Sequence, residues 1–191
     1  MKARDQILEA AYDLFSRQGV KAVGIESILE RSGVARMTLY RHFRSKDDLV
    51  FEFLKQREQR WAHDWLFAEA KARATTGQAR LLALFDVFDE WFQRKDFEGC
   101  PFVSILVETA DKRHAPEPSP IYRECADALR RVRGGLEEFA VEAGIKDPVG
   151  FAQKWQILMK GSIIAATEGD LGAAKRAQEM GALVLAHAIA G

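Results

Sequence analysis

Residues 24–43 read GIESILERSGVARMTLYRHF, and the fold follows from them. Ile25, Ile28 and Leu29 share one face of a short helix that Gly33 stops, and Met37, Leu39, Tyr40 and Phe43 mark a second helix after it. A helix-turn-helix needs two helices crossing steeply through a tight turn, the second offering its outer face to the major groove of DNA. In this stretch Ile28 and Leu29 pack inward, Gly33 accepts the positive φ of the turn, Val34 fills the gap between the helices, and Leu39 and Phe43 face a shared core. Left outside are Arg36, Met37, Thr38, Tyr40, Arg41 and His42. From Gly33 to Lys46 the chain carries Arg36, Arg41, Arg44 and Lys46 and no acidic residue. Isolated cations on a helix are ordinary solvated surface; on the outside of a helix-turn-helix they suit a polyanion.

Upstream, Ile7, Leu8, Ala11, Leu14 and Phe15 form the stripe of a first helix, with Gly19 where a left-handed cap belongs. Downstream, Ser45 followed by Asp48, Leu49, Val50, Phe53 and Leu54 reads as the N-cap of a long fourth helix running to Arg73, with a carboxylate in its first turn. T-T-G-Q at 75–78 breaks the chain before a helix through Leu81, Phe85, Phe88, Trp91 and Phe92. DFEGCP breaks it again before a helix from Phe102 to Lys112. Three prolines between 116 and 120 end that helix in a loop. Residues 121–143 resume as a helix that Gly134 and Gly135 are expected to bend. Asp147-Pro148 opens a helix through Trp155 and Ile164, and Gly172–Ala190 forms the last. With no strand-like alternation, the fold class is all-α, about nine helices. It divides into a three-helix DNA-binding domain at 1–46 and a larger helical effector-binding and dimerisation domain at 47–191.

The composition narrows the function. Acidic and basic residues balance at 28 each, so a general polyanion-binding tail is not indicated. The longest apolar runs fall well short of the roughly 20 residues of a membrane span, and MKARDQILEAAYDLF lacks the uninterrupted apolar core of a secretory signal. The chain is therefore expected to be cytoplasmic, on the nucleoid when bound to DNA. Cys100 and Cys125 form no CxxC pair and no histidine cluster accompanies them, which supports neither a disulfide framework nor a metal site, and no cofactor is expected. Cys100 lies between Gly99 and Pro101 with no cation within three residues, so a buried thiol is favoured over a redox switch.

VARMTLYRHFRSKDDLV at 34–50 resembles the helix 3 to helix 4 signature of the TetR family of bacterial transcriptional regulators. Gly33, Val34, Thr38, Leu39, Tyr40, His42, Phe43, Ser45, Lys46 and Leu49 fall in its register, and the likeness extends over residues 4–54. It implies that Thr38, Tyr40, His42 and Lys46 contact backbone phosphates while Arg36, Met37 and Arg41 lie closest to base edges. Those roles suit the side chains: hydroxyl and ammonium donors grip phosphate without regard to sequence, whereas an arginine fork matches guanine O6 and N7. Three positions depart from the pattern. Gly24 stands for a capping Thr, Leu29 for a small Ala, and Ala35 for the usual Ser. A cap hydroxyl and one phosphate contact are lost at Gly24.

One such module buries too little surface for tight specific binding, so a homodimer presenting two recognition helices to a palindromic operator is expected. The resemblance puts its interface on the last two helices, about 148–168 and 172–190, which are rich in Ala, Leu, Ile and Val. Trp61, Trp65, Phe85, Phe88, Trp91, Phe102 and Trp155 are candidates to line a pocket for a small apolar or aromatic effector, although aromatics at helical spacing also fill core. Effector binding there would move the fourth helix and release DNA, making the chain a repressor. Two rival readings remain. An enzyme using Glu108, Asp111 or His114 lacks a nucleophile elbow, phosphate loop or metal spacing. A helical protein-interaction module without specific DNA binding fits poorly with Arg36, Arg41 and Lys46 on the outer face.

Overall fold

The structure is a computed structural model, and it describes residues 2–108 and 119–190. Nine helices and no strand occur among the described residues. They are α1 (Ala3–Gln18), α2 (Ile25–Ser32), α3 (Arg36–His42), α4 (residues 46–73), α5 (Gly77–Phe92), α6 (Pro101–Glu108), α7 (Pro120–Glu142), α8 (Pro148–Thr167) and α9 (Ala173–Ala190). Among the described residues no helix is long and apolar enough to cross a membrane. The end of the helix expected at Lys112, the start of the proline loop, and the rival enzyme's Asp111 and His114 lie outside the described residues.

The chain forms two compact units, one of Met1–Glu58 with Pro101–Ala128 and one of Gln59–Cys100 with Leu129–Gly191. The first reaches past residue 46, where composition and motif alone place a boundary. In it α1 packs against α2, α3 and the start of α4. Ile7, Ala11, Phe15, Ile28, Leu39, Leu49, Val50, Phe53 and Leu54 are essentially sealed from solvent. The ring of Phe53 meets Phe15 and Tyr12 edge-on at 5.5 and 5.4 Å. Each such buried side chain contributes roughly 1.5–3 kcal/mol, which is how so short a module holds its recognition helix in place. Asp13 on α1 pairs with Arg17 at 2.8 Å and with Arg31 at 2.7 Å, tying the last turn of α2 to α1. Gly19 departs from the left-handed cap expected of it. Its φ of 79° is positive, but its ψ of 157° is extended, a region essentially open to glycine alone.

In the second unit α9 packs on α8 and α5. Trp155 is fully buried, its ring stacked on Phe151 at 5.1 Å and tilted against Phe85 at 5.4 Å. The cap read at Asp147 is present, its carboxylate accepting from the Gly150 amide, and the break read at 75–78 holds a further cap, the Thr76 hydroxyl accepting from the Ala79 amide. Helical structure continues through Gly134 and Gly135. A Cβ at Gly135 would lie 2.6 Å from Cζ of Phe67, so close packing of that ring gives this glycine its place.

A plain α-helix does not describe α4. Lys46–Arg57 and Ala68–Arg73 are α-helical, but Glu58–Phe67 between them is π-helical. The buried positions Val50, Leu54, Glu58, Ala62, Leu66 and Ala70 recur at a strict spacing of four. At 3.6 residues per turn that spacing creeps about 40° around an α-helix at each step. The wider i→i+5 turn of the π segment creeps the other way. The insertion therefore returns Leu66 and Ala70 toward the buried face that α geometry alone would leave.

Candidate nucleic-acid interface

The turn between α2 and α3 is made by Gly33, at φ 67° and ψ 14°, whose amide donates to the Leu29 carbonyl at 2.9 Å. Only a residue without Cβ takes this left-handed conformation at little cost. Val34 and Ala35 follow, and α3 starts at Arg36 with the Thr38 amide donating to the Ala35 carbonyl at 2.9 Å. Neither Gly24 nor Ala35 supplies a side-chain cap, the consequence expected of those two departures.

Leu39 and Phe43 anchor α3 to the core, at 0% and 3% exposure. Fixing those two positions turns the rest outward. Met37 is 81% exposed and Tyr40 42%. Arg36, Arg41, His42 and Arg44 are exposed, while Thr38 and Lys46 are half-buried at the rim of the face. All seven candidate contact residues thus lie on α3 or on the first residue of α4. A methionine so open to water is unfavourable in the free protein and suits a partner with apolar edges, such as a thymine methyl.

The joint from α3 to α4 is hydrogen-bonded from both sides. The Ser45 hydroxyl accepts from the Asp48 amide at 3.2 Å, and the Asp48 carboxylate accepts from the Arg44 amide at 2.8 Å. This is close to the reciprocal capping of a helix start, and it confirms the N-cap read at Ser45.

One feature of the face escapes sequence spacing. The Arg36 guanidinium is paired with the carboxylate of Glu26 in the first turn of α2. Ten residues and a turn separate the two, so no helical periodicity links them. The available signal was that Glu26 and Arg36 each lie in the first turn of successive helices.

The aromatic residues read as effector-pocket candidates do not all belong together: all but Phe102 lie in the second unit, where Phe85 meets Phe88 edge-on at 6.4 Å. Trp61, Trp65, Phe88 and Trp91 form one ring cluster in the second unit, with centroids 5.4–6.0 Å apart. Phe85 and Trp155 lie side by side, and Phe102 belongs to the first unit. The indole Nε1 atoms of Trp61 and Trp155 are buried without a hydrogen-bond acceptor. Cys100 and Cys125 are buried and joined in no disulfide. No group of three metal-ligating side chains occurs among the described residues.

Residues 7–53 match the family described as bacterial regulatory proteins, tetR family. The chain is similar to the HTH-type transcriptional repressor KstR2 of Mycolicibacterium smegmatis, 31% identical over 90 residues that cover 47% of this chain and 42% of that protein. It is 32% identical over 73 residues to the HTH-type transcriptional regulator QacR of Staphylococcus aureus, covering 38% and 39%. The match thus spans less than half the length of either relative. Among solved structures, a TetR-family transcriptional regulator from Streptomyces coelicolor has the same fold, with a TM-score of 0.83 over 98% of this chain and 96% of that one at 24% identity.

Proposed function

Since this chain belongs to the tetR family of bacterial regulatory proteins, we propose that it is a dimeric transcriptional repressor, held on a palindromic operator and released by a small effector. The observation that carries this reading is the outer face of α3. Leu39 and Phe43 lock the helix to the core, and Arg36, Met37, Tyr40, Arg41 and His42 stand free of that packing. Thr38, Tyr40, His42 and Lys46 position the module on phosphates; Arg36, Met37 and Arg41 read bases. Repression needs only occupancy of a promoter. The site of action is the cytoplasm, on the nucleoid.

The dimer forms through α8 and α9. Ile157, Gly161 and Ile164 make a stripe on α8, with the two isoleucines 69% and 44% exposed, and Leu183 on α9 is 74% exposed. A shallow apolar groove runs along Ile157, Gly161 and Ile164, and a Cβ at Gly161 would meet nothing within 4 Å. Exposed aliphatic stripes on adjacent helices favour a matching surface, and the same stripe on a second copy supplies one by two-fold symmetry.

The effector binds in the helical region after residue 47. Trp61 and Trp155 stand foremost among the ring candidates, because the buried indole N–H of each lacks an acceptor and such an orphan costs roughly 1–3 kcal/mol. An apolar or aromatic effector carrying an acceptor satisfies it, with Trp65 and Trp91 as walls. Phe85 and Phe88 back them as core.

Selection of genomic fragments by the purified chain tests the reading, followed by salt titration of the recovered site against an Arg36→Ala, Arg41→Ala double variant. A palindrome of about 15–20 base pairs is expected, bound with steep salt dependence and lost in the variant. No enriched site, with equal weak binding by both proteins, favours the protein-interaction module instead.

A further inference from the structure

We propose that a groove between the π segment of α4 and the middle of α7 is a second ligand site, for an anion with a flat apolar body. The groove has a volume of about 440 Å³, within the roughly 300–1,000 Å³ of small-molecule sites. Phe67 and Phe139 give it an apolar floor, their rings edge-to-face at 5.7 Å. Lys71, Arg131 and His63 stand around it, against the single carboxylate of Glu138. Lys71 Nζ lies 5.7 Å from the centroid of the Phe139 ring, so part of this positive charge hangs over the floor itself.

Two costly features of the chain border this one groove. The first is the π turn that carries His63 and Phe67; such segments are rare and concentrate at functional sites. The second is Gly134. Its neighbour Gly135 is explained by the Phe67 ring, which a Cβ would strike, but a Cβ at Gly134 would meet nothing within 4 Å. Packing within the chain therefore gives no reason for a glycine in mid-helix at 134, where alanine is the better helix former. An unfilled space beside rings and cations is what an occupant from outside requires. The cations select a carboxylate or sulfonate, and the rings select an aromatic or similarly flat body behind it.

The test uses two fluorescent probes with the same rings on the intact chain, 1-anilinonaphthalene-8-sulfonate and uncharged N-phenyl-1-naphthylamine. The sulfonate is expected to bind saturably, once per chain and at least tenfold more tightly than the neutral probe. Gly134→Phe, whose Cβ would meet nothing within 4 Å, is expected to weaken sulfonate binding at least tenfold with an unchanged circular dichroism spectrum. Gly134→Ala is expected to bind within threefold of wild type, and Lys71→Gln with Arg131→Gln to lose most of the preference for the anion. Equal sulfonate binding by wild type and Gly134→Phe, no binding by wild type, or equal affinity for both probes would overturn the proposal. DNA plays no part in this readout, so failure of the operator experiment leaves it intact.

Discussion

The carboxylate of Glu26 in α2 holds the guanidinium of Arg36, the first residue of α3, so one of the base-reading candidates is neutralised before DNA arrives. Both side chains are more than half exposed, and a pair of that kind contributes under about 1 kcal/mol to folding. Its larger effect falls on binding. Glu26→Gln should leave thermal stability almost unchanged, raise affinity for unrelated duplex several-fold, and steepen the salt dependence by about one counterion. Fluorescence anisotropy across a salt series measures both effects on binding, and a thermal melt checks the stability; a variant that binds more weakly would contradict this account.

Removing the stripe on α8 and α9 separates the copies. Ile157→Asp with Leu183→Asp places two charges where the proposed interface is apolar, and burying an unpaired carboxylate is prohibitive. Sedimentation should show a monomer with unchanged helical content, and operator affinity should fall by at least a hundredfold.

The joint before α4 is expected to matter for stability. Ser45→Ala removes the acceptor for the Asp48 amide and should cost about 1 kcal/mol, a fall of a few degrees in melting temperature for a chain of this size. Asp48→Asn keeps the cap geometry and should cost less.

Two glycines should respond with opposite signs. A Cβ at Gly77 would lie 2.5 Å from the Ala143 amide nitrogen and 2.8 Å from the carbonyl carbon of Glu142. Those are backbone atoms that have no room to give, so Gly77→Ala should destabilise by about 2 kcal/mol or more. Gly134→Ala enters open space in mid-helix and should stabilise by about 0.5–1 kcal/mol. Urea denaturation of both variants checks the pair.

Acid should remove one link between α5 and α9. Burial acts against the Asp86 carboxylate, but hydrogen bonds from Lys175, at 2.8 Å, and Gln178 outweigh it and hold its pKa below the ordinary value. A depressed carboxylate stabilises the fold above the pKa it has when unfolded, near 3.9, and the contribution drains away as pH falls through the lower folded value. The Lys175 pKa is raised by its hydrogen bond to Asp86, so its share is lost only as pH climbs past the ordinary lysine range. Asp86 is 41% exposed, and solvent screening keeps the pair under about 1 kcal/mol. Asp86→Asn should therefore lower stability slightly at pH 7 and not at pH 2, as denaturation midpoints at the two pH values would register.

Sequence reading went furthest where local chemistry decides the outcome. Gly33, Ser45 and Asp147 each act on neighbours three or four residues away, so their turns and caps follow from spacing alone. The outer face of α3 was legible for the same reason, since placing Leu39 and Phe43 inside leaves Arg36, Met37 and Tyr40 outside. What spacing could not supply was contact across the fold. The Glu26 partner of Arg36 depends on how two helices cross, and the role of Gly135 depends on a ring contributed by α4. The π segment lies between these cases. Its repeat of four is printed in the sequence, broken in kind by Glu58, but residues at that interval pass for an ordinary helix face unless the drift is followed over five steps.

The double hydrogen bonding between α3 and α4 has a mechanical meaning. Only Phe43, Arg44 and Ser45 separate the end of α3 from the start of α4. Phe43 is plugged into the core, Arg44 is clamped by Asp48, and Ser45 clamps Asp48 in return. A coupling with no free link has no backlash: a small rotation entering at Lys46 reaches His42 without first being absorbed in taking up slack.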